Sequence, residues 1–149
     1  MKAGVVLGVG LGGFVDGIVF HQIVQWHSMV SAVLPPTSLG AMRQGMLWDG
    51  VFHSLTWCVV LAGVYMLRSE MLRGLSGSLV GFTGRLVVGW GAFNLVEGVL
   101  DHHLLELHHV RDLPVHAPLY DWVFLGAGGF GLLAMGGVLM AVSRLRAPH

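Results

Sequence analysis

The sequence predicts an all-α protein, an integral membrane four-helix bundle with both termini in the cytoplasm. Of its 149 residues, 54% are hydrophobic and only 11% are charged, and the mean hydropathy is +0.73. Soluble domains carry about 25% charged residues, so an ordinary soluble class is excluded. The apolar residues also fall into four stretches, and a helix needs about 20 mainly apolar residues to cross a bilayer. We expect residues 1–149 to form a single transmembrane domain.

Connections rich in proline, glycine or serine separate the four stretches, as is typical of loops. They lie around Pro35 and Pro36, over residues 68–84 and over residues 113–118. The first stretch begins like a signal peptide, but it is longer and contains Asp16, so we expect it to be retained as a helix. The predicted helices cover about residues 5–29, 47–67, 86–110 and 119–142.

The lysines and arginines are distributed unequally between the two ends of the predicted bundle. Positively charged residues near membrane spans favour the cytoplasmic side. This predicts cytoplasmic termini, with the first and third connections outside. The lipid bilayer is the expected partner, and the near-zero net charge without a basic block predicts no nucleic acid partner. Six residues, Lys2, Arg68, Arg73, Arg85, Arg144 and Arg146, lie at the termini or in the second connection, against Arg43 and Arg111 in the others.

Small residues recur at a helical spacing in the first stretch, where Gly4, Gly8 and Gly12 follow one another every four residues. Such spacing lets helices approach closely in lipid. It predicts packing within the bundle, with contact in a homo-oligomer as the alternative. Cys58 is the only cysteine, which excludes disulfides within the chain and sites built from several thiolates.

Ionisable residues concentrate near one end of the four stretches. Eight of the nine histidines and all acidic residues except Glu70 lie there. Charged groups inside a membrane are costly and mark functional sites. The pattern therefore predicts a metal or proton site in the outer half of the bundle.

The third stretch is the richest in polar residues. At about 100° per residue, six of them share an arc of roughly 140°, whereas His103 and Glu106 point away. In the second stretch, Asp49 and His53 are four residues apart and share a face. The six residues of the arc are Asn94, Glu97, Asp101, His102, His108 and His109.

These positions predict a metal site at which all helices meet. We expect its ligands to be His21, His53, Glu97, Asp101 and His102, with Asp49, His108 and His109 forming a second site or an access path. Gln22, Gln25 and Asn94 are expected to orient the ligands, and His27 and His116 to lie at the membrane interface.

The donor types narrow the choice of ion. Imidazole suits zinc, copper and iron, and carboxylates add negative charge that compensates the cation. Helix bundles that carry Glu, Asp and His on facing helices can hold two ions. The sequence therefore predicts a mononuclear or dinuclear transition-metal site for copper, iron or zinc.

Several motifs resemble a known family. Residues 16–27 (DGIVFHQIVQWH), 49–53 (DGVFH), 93–98, 101–103 and 108–111 are similar to the motifs of bacterial four-helix membrane proteins known as domain of unknown function number 2243. With Asp121, the resemblance covers essentially the whole chain. It implies a four-helix protein of the bacterial inner membrane without an assigned activity, so that the outer end faces the periplasm.

Three functions fit these observations. The first is a metalloprotein with a redox role or a metal-handling role, whose partners are respiratory-chain or metal-delivery proteins. The second is a proton or metal-ion transporter, although the inner halves of the helices contain almost no ionisable groups. The third is a b-type haem protein with His21 and His53 as axial ligands, although the neighbouring carboxylates fit a non-haem metal better.

Overall fold

The part of the chain that the structure describes consists of four long helices and their connections. The computed structural model describes residues 2–75 and 77–146 of the chain, and within these ranges it contains no strand. Each helix is long and apolar enough to cross a membrane, which confirms the predicted all-α class with four spans. The helices are α1 (Ala3–Ile23), α2 (Leu39–Leu72), α3 (Leu79–Leu104) and α4 (Leu119–Leu145).

The helices end at other residues than the hydropathy pattern predicts. The first helix was expected to reach residue 29 and the third residue 110, but α1 ends at Ile23 and α3 at Leu104. The second begins well before residue 47, because the Ser38 hydroxyl caps it by accepting a hydrogen bond from the Ala41 N–H at 3.1 Å. Because α1 and α3 end early, His27 and His108 lie on connections rather than on helices.

The last turns of α1 and α3 are π-helical. They cover Gly17–Ile23 and Gly98–Leu104, and a third π-helical segment, Phe124–Gly131, lies within α4. In a π-helix the backbone hydrogen bonds link residues five apart, so the side chains that follow point in other directions than in an α-helix. Such turns are frequent at functional sites. After each of the first two turns the chain reverses through a residue with positive φ, Gln25 (53°) and Glu106 (48°).

The interior of the bundle is polar and its outer surface is apolar. Within residues 2–75 and 77–146, the buried hydrophobic side chains are Ala3, Leu7 and Val110 alone. Large apolar side chains cover the exposed faces of α2 and α4, as expected where the surroundings are lipid. The buried polar residues are Asp16, His21, His27, Ser31, Asp49, Thr56, Asn94, Glu97, His102, His108 and Asp121.

Glycines allow the two central helices to touch through their backbones. α1 lies between α2 and α3, and α3 packs against α4. A Cβ atom on Gly8 would collide with the Leu86 carbonyl oxygen, and one on Gly89 with the Val5 carbonyl oxygen. The glycine spacing in α1 therefore serves packing within the bundle, and the homo-oligomer stays a prediction.

The two helical pairs, α1–α2 and α3–α4, are an internal repeat that the sequence reasoning did not detect. Four residues at the end of α1 and in the connection after it carry the same chemistry as the residues 81 positions later, at the end of α3 and in the connection after it. Both segments read acid, glycine, any three residues, histidine, any five residues, histidine. The matched residues are Asp16 with Glu97, Gly17 with Gly98, His21 with His102, and His27 with His108.

The connections that follow α1 and α3 exchange equivalent hydrogen bonds. The Ala32 N–H donates to the Leu107 carbonyl at 3.1 Å, and the Leu113 N–H donates to the Trp26 carbonyl at 2.8 Å. These residues are matched by the same offset of 81 positions. The reciprocal contacts indicate an approximate two-fold axis between α1 and α3, with both halves oriented in the same direction. Most of the buried polar residues gather around one end of this axis, where α1 and α3 end and α4 begins.

Candidate metal centre

In each half, an aspartate of the second helix (α2 or α4) lies next to a histidine of the first (α1 or α3), and in the first half the two are hydrogen-bonded. Asp49 Oδ1 accepts hydrogen bonds from the Met29 N–H at 2.8 Å and from His21 Nδ1 at 2.9 Å. In the second half, Asp121 Oδ1 accepts from the Val110 N–H at 2.8 Å and lies 3.7 Å from His102 Nδ1. The repeat therefore extends from the backbone to the side chains that orient the histidines.

The other histidine of each half is held by the opposite half. His27 Nδ1 donates to the Val110 carbonyl at 2.9 Å, and His108 Nδ1 contacts the Met29 carbonyl at 3.3 Å. Met29 and Val110 also supply the N–H groups that bind Asp49 and Asp121. Two short backbone segments thus fix two histidines and two aspartates.

These contacts determine the tautomer of three histidines. A carbonyl or carboxylate oxygen accepts hydrogen bonds, so Nδ1 of His21, His27 and His108 must carry the proton. When such a ring is neutral, its Nε2 atom holds a free lone pair. All three Nε2 atoms, and both ring nitrogens of His102, are buried without a hydrogen-bond partner.

Two carboxylates share the space around these nitrogens. Asp16 Oδ2 lies 3.1 Å from His21 Nε2 and 3.9 Å from His27 Nε2, and Glu97 Oε1 lies 3.8 Å from His108 Nε2. The contacts at 3.8 and 3.9 Å are too long for hydrogen bonds, and the contact at 3.1 Å is not one either. Asp16 and Glu97 are only 3% and 4% exposed, so their oxygens are also shielded from solvent.

The four imidazole rings follow one another closely. The ring centroids of His21 and His27 are 4.5 Å apart, those of His27 and His108 4.5 Å, and those of His108 and His102 4.9 Å. Two sets of donor atoms could each hold an ion, and within each set the atoms lie within 4.8 Å of one another. One set is His21, His27 and His108, and the other is Glu97, His102 and His108. Donors on one ion at bonds of about 2.1 Å are at most about 4.2 Å apart, so small side-chain shifts suffice.

His108 is electrostatically suited to be a ligand. It lies beyond the end of α3 and is fully buried. This burial lowers the pKa of the His108 imidazole well below its usual range, and the neighbouring His27 and His102 lower it further. The ring is therefore neutral, as a metal ligand must be.

Comparison with known protein families shows to which family the chain belongs. A family model described as "Predicted membrane protein (DUF2243)" matches residues 3–143. The chain belongs to this family. No curated protein and no solved structure matches it.

The structure of this DUF2243 chain brings some predicted site residues together and separates others. His21, Glu97, His102 and His108 contribute to the donor sets, and Asp49 holds His21. These residues, with Asp16 and His27, form what we call the centre. That they bind metal stays a prediction.

Two predicted ligands, and one residue that was predicted for a second site or an access path, lie outside the centre. His53 Nδ1 donates to the Asp49 backbone carbonyl at 2.7 Å, and its ring packs against Gly17 of α1. Asp101 is half-buried and contributes no donor atom to either set. His109 belongs to a separate group with His116 and Asp121.

His27 was predicted at the membrane interface, but it is 2% exposed and lies inside the centre. Asp16 was not among the predicted ligands, yet it contacts both His21 and His27. The repeated acid–glycine–histidine–histidine pattern is the signal that identifies both residues. It pairs them with Glu97 and His108 of the second half.

Proposed function

We propose that this protein is a membrane metalloprotein whose centre holds one or two transition-metal ions of copper, iron or zinc. The ligands are the Nε2 atoms of three histidines, one ring nitrogen of His102, and the carboxylates of two acids. The observation that carries the proposal is the set of buried donor atoms without hydrogen-bond partners in a bundle surrounded by lipid. The proposed ligands are His21, His27, His102 and His108, with Asp16 and Glu97.

The way in which the histidines are held supports this proposal. Histidines that bind metals usually donate their other ring N–H to a carboxylate or a backbone carbonyl, which fixes the ring and makes it a better ligand. His21 has a carboxylate partner, and His27 and His108 have carbonyl partners. A mixed set of imidazoles and carboxylates fits the three named metals.

The charge of the interior also supports a bound cation. Four of the buried residues are acids, and within residues 2–75 and 77–146 no lysine or arginine is buried with them. Buried carboxylates must be neutralised by protons or by a cation. The acids are Asp16, Asp49, Glu97 and Asp121.

A pocket borders the centre on the side of α2. This pocket of about 390 Å³ contacts His21, His27 and Asp49 and is lined by Gln22, Gln25 and Met42, among others. It gives an ion or a small reactant a route to the centre that avoids the apolar faces. A bound redox-active ion would supply electron transfer or oxygen chemistry, while the protein orients the ligands and limits access of water.

The distribution of lysine and arginine supports a finer proposal. It favours cytoplasmic termini and a centre that faces the periplasm of a bacterial inner membrane. A metal centre at that location fits a redox protein or a factor that supplies metal to respiratory enzymes. Its partners would then be respiratory-chain or metal-delivery proteins.

Elemental analysis of detergent-purified protein tests the proposal. Wild type should carry at least one equivalent of copper, iron or zinc per chain, and His27→Ala and His108→Ala should lose most of it. His103→Ala is the matched control, because His103 Nδ1 donates to the Gly98 carbonyl at 2.7 Å and the ring lies outside the donor sets. Metal-free wild type, or equal metal in the His27, His108 and His103 variants, would refute the proposal. A haem absorption band would favour the haem alternative instead.

A further inference from the structure

A second group of donor atoms lies on the connection between α3 and α4 and at the start of α4. His109, His116 and Asp121 each offer one ligand atom, and these atoms lie within 4.8 Å of one another. His109 Nδ1 is 3.3 Å from Asp121 Oδ2, and the two imidazole rings are 4.1 Å apart at their centroids. We call this group the outer site.

The surrounding residues hold the outer site in place. Asp112 Oδ2 accepts hydrogen bonds from the Ser31 hydroxyl at 2.5 Å and from the backbone N–H of His109 at 3.3 Å. Its other oxygen, Oδ1, lies 3.9 Å from His116 Nδ1. Asp121 is held through Oδ1 by the Val110 N–H, so Oδ2 stays available to a ligand. Arg111 is the only cation among the described residues of this connection. Its guanidinium group lies over the rings of Trp26 and Tyr120.

The internal repeat explains Asp121 but not the two histidines. Asp121 corresponds to Asp49, which holds the first-half histidine of the centre. The position equivalent to His109 in the first half is Ser28, and it carries no metal-binding side chain. The histidines of the outer site are therefore an addition to the repeated framework.

The outer site is connected to the centre through one carboxylate. Asp121 Oδ2 faces His109, and Asp121 Oδ1 lies 3.7 Å from His102 Nδ1 in the centre. Exposure decreases along this line. The side chain of His116 is 41% exposed, that of His109 is 19% exposed, and that of His102 is buried.

We propose that His109, His116 and Asp121 form a second metal site, open to solvent, which captures a divalent ion such as Zn²⁺ and passes it to the centre. The passage is a ligand exchange at Asp121 and His102 without a change of oxidation state. The binding of an ion at the outer site is independent of the proposed function, whereas the role in loading rests on it.

Two measurements with Zn²⁺ test this proposal on the full-length protein in detergent. The first is the number of Zn²⁺ ions bound at equilibrium, in wild type and in His116→Ala. His116 is exposed, so its replacement should not disturb folding, and His103→Ala is the control. We expect His116→Ala to bind one equivalent less than wild type, and His103→Ala to bind the same amount.

The second measurement is the rate at which metal-free protein acquires Zn²⁺ that survives a brief wash with EDTA. The wash removes ions from the solvent-exposed outer site and leaves those in the centre. His116→Ala should fill the centre more slowly than wild type but reach the same final amount. An unchanged rate would overturn the loading role.

The outcomes separate the two proposals. Equal Zn²⁺ binding by His116→Ala and wild type would refute the outer site and leave the centre unaffected. Loss of one ion in His116→Ala, together with no wash-resistant Zn²⁺ in wild type, would support the outer site and refute the centre.

Discussion

The carboxylate of Asp49 allows the electrostatic and structural requirements of the centre to be separated. Its Oδ1 atom accepts two hydrogen bonds, from the Met29 N–H at 2.8 Å and from His21 Nδ1 at 2.9 Å. Asp49→Asn keeps an oxygen that accepts both bonds but removes the negative charge. Asp49→Ala removes the charge and both bonds.

The two substitutions should differ in their effects on metal affinity and on stability. Replacing a residue that orients a ligand costs 10–100-fold in metal affinity, or about 1.4–2.8 kcal/mol. We expect Asp49→Asn near the lower end of that range and Asp49→Ala near the upper end. Asp49→Ala also leaves two buried N–H groups without an acceptor, at roughly 1–3 kcal/mol each, so it should lower the free energy of unfolding by about 2 kcal/mol or more.

Metal affinity can be measured by competition with a chelator, and unfolding by titration of the metal-free protein with denaturing detergent. Asp101→Asn is the matched control, since Asp101 is a half-buried acid of α3 outside the donor sets. If Asp49→Asn bound metal as tightly as wild type, Asp49 would not support a ligand and the assignment of His21 would be wrong.

Three further predictions concern stability. Gly8→Ala should lower the free energy of unfolding by about 1–3 kcal/mol, because the new Cβ meets the Leu86 carbonyl oxygen, whereas Gly137→Ala, which has open space, should be neutral or stabilising. At Glu106, where φ is 48°, glycine should stabilise by about 0.5–1 kcal/mol and valine should destabilise, as measured by detergent-induced unfolding. Metal removal should lower the unfolding temperature, since an ion at about 100 times its Kd adds about 2.7 kcal/mol, and an unchanged temperature would contradict a bound ion.

The sequence was sufficient to predict the four spans, since the bilayer requires long apolar stretches. It was poorer at the ends of the helices. Val24 and Leu105 continue the apolar pattern past the ends of α1 and α3, and no residue type marks a π-helical turn. At the start of α2, the polar residues Arg43 and Gln44 lowered the hydropathy, although they are helical.

Only part of the site was predicted, because the depth of a residue in the membrane is easier to infer from the sequence than the direction of its side chain. His21, Glu97 and His102 could be found from their position near one end of the spans. His108 does point into the bundle as predicted, but α3 ends at Leu104, so the helical period of about 100° per residue applies neither to His108 nor to His109. Which histidines meet depends on the π-helical turns and on the exchange of hydrogen bonds between halves.

The duplicated polar interior has a consequence for biogenesis. During synthesis, α1 and α2 reach the bilayer before α3 and α4 exist, so Asp16, His21 and Asp49 first face acyl chains or one another. Ionisable groups in that position are costly, and the cost is relieved only when the second hairpin docks. A product truncated after α2 should therefore be a preferred substrate for proteases that survey the membrane, whereas the finished chain conceals the features by which such proteases recognise orphaned segments.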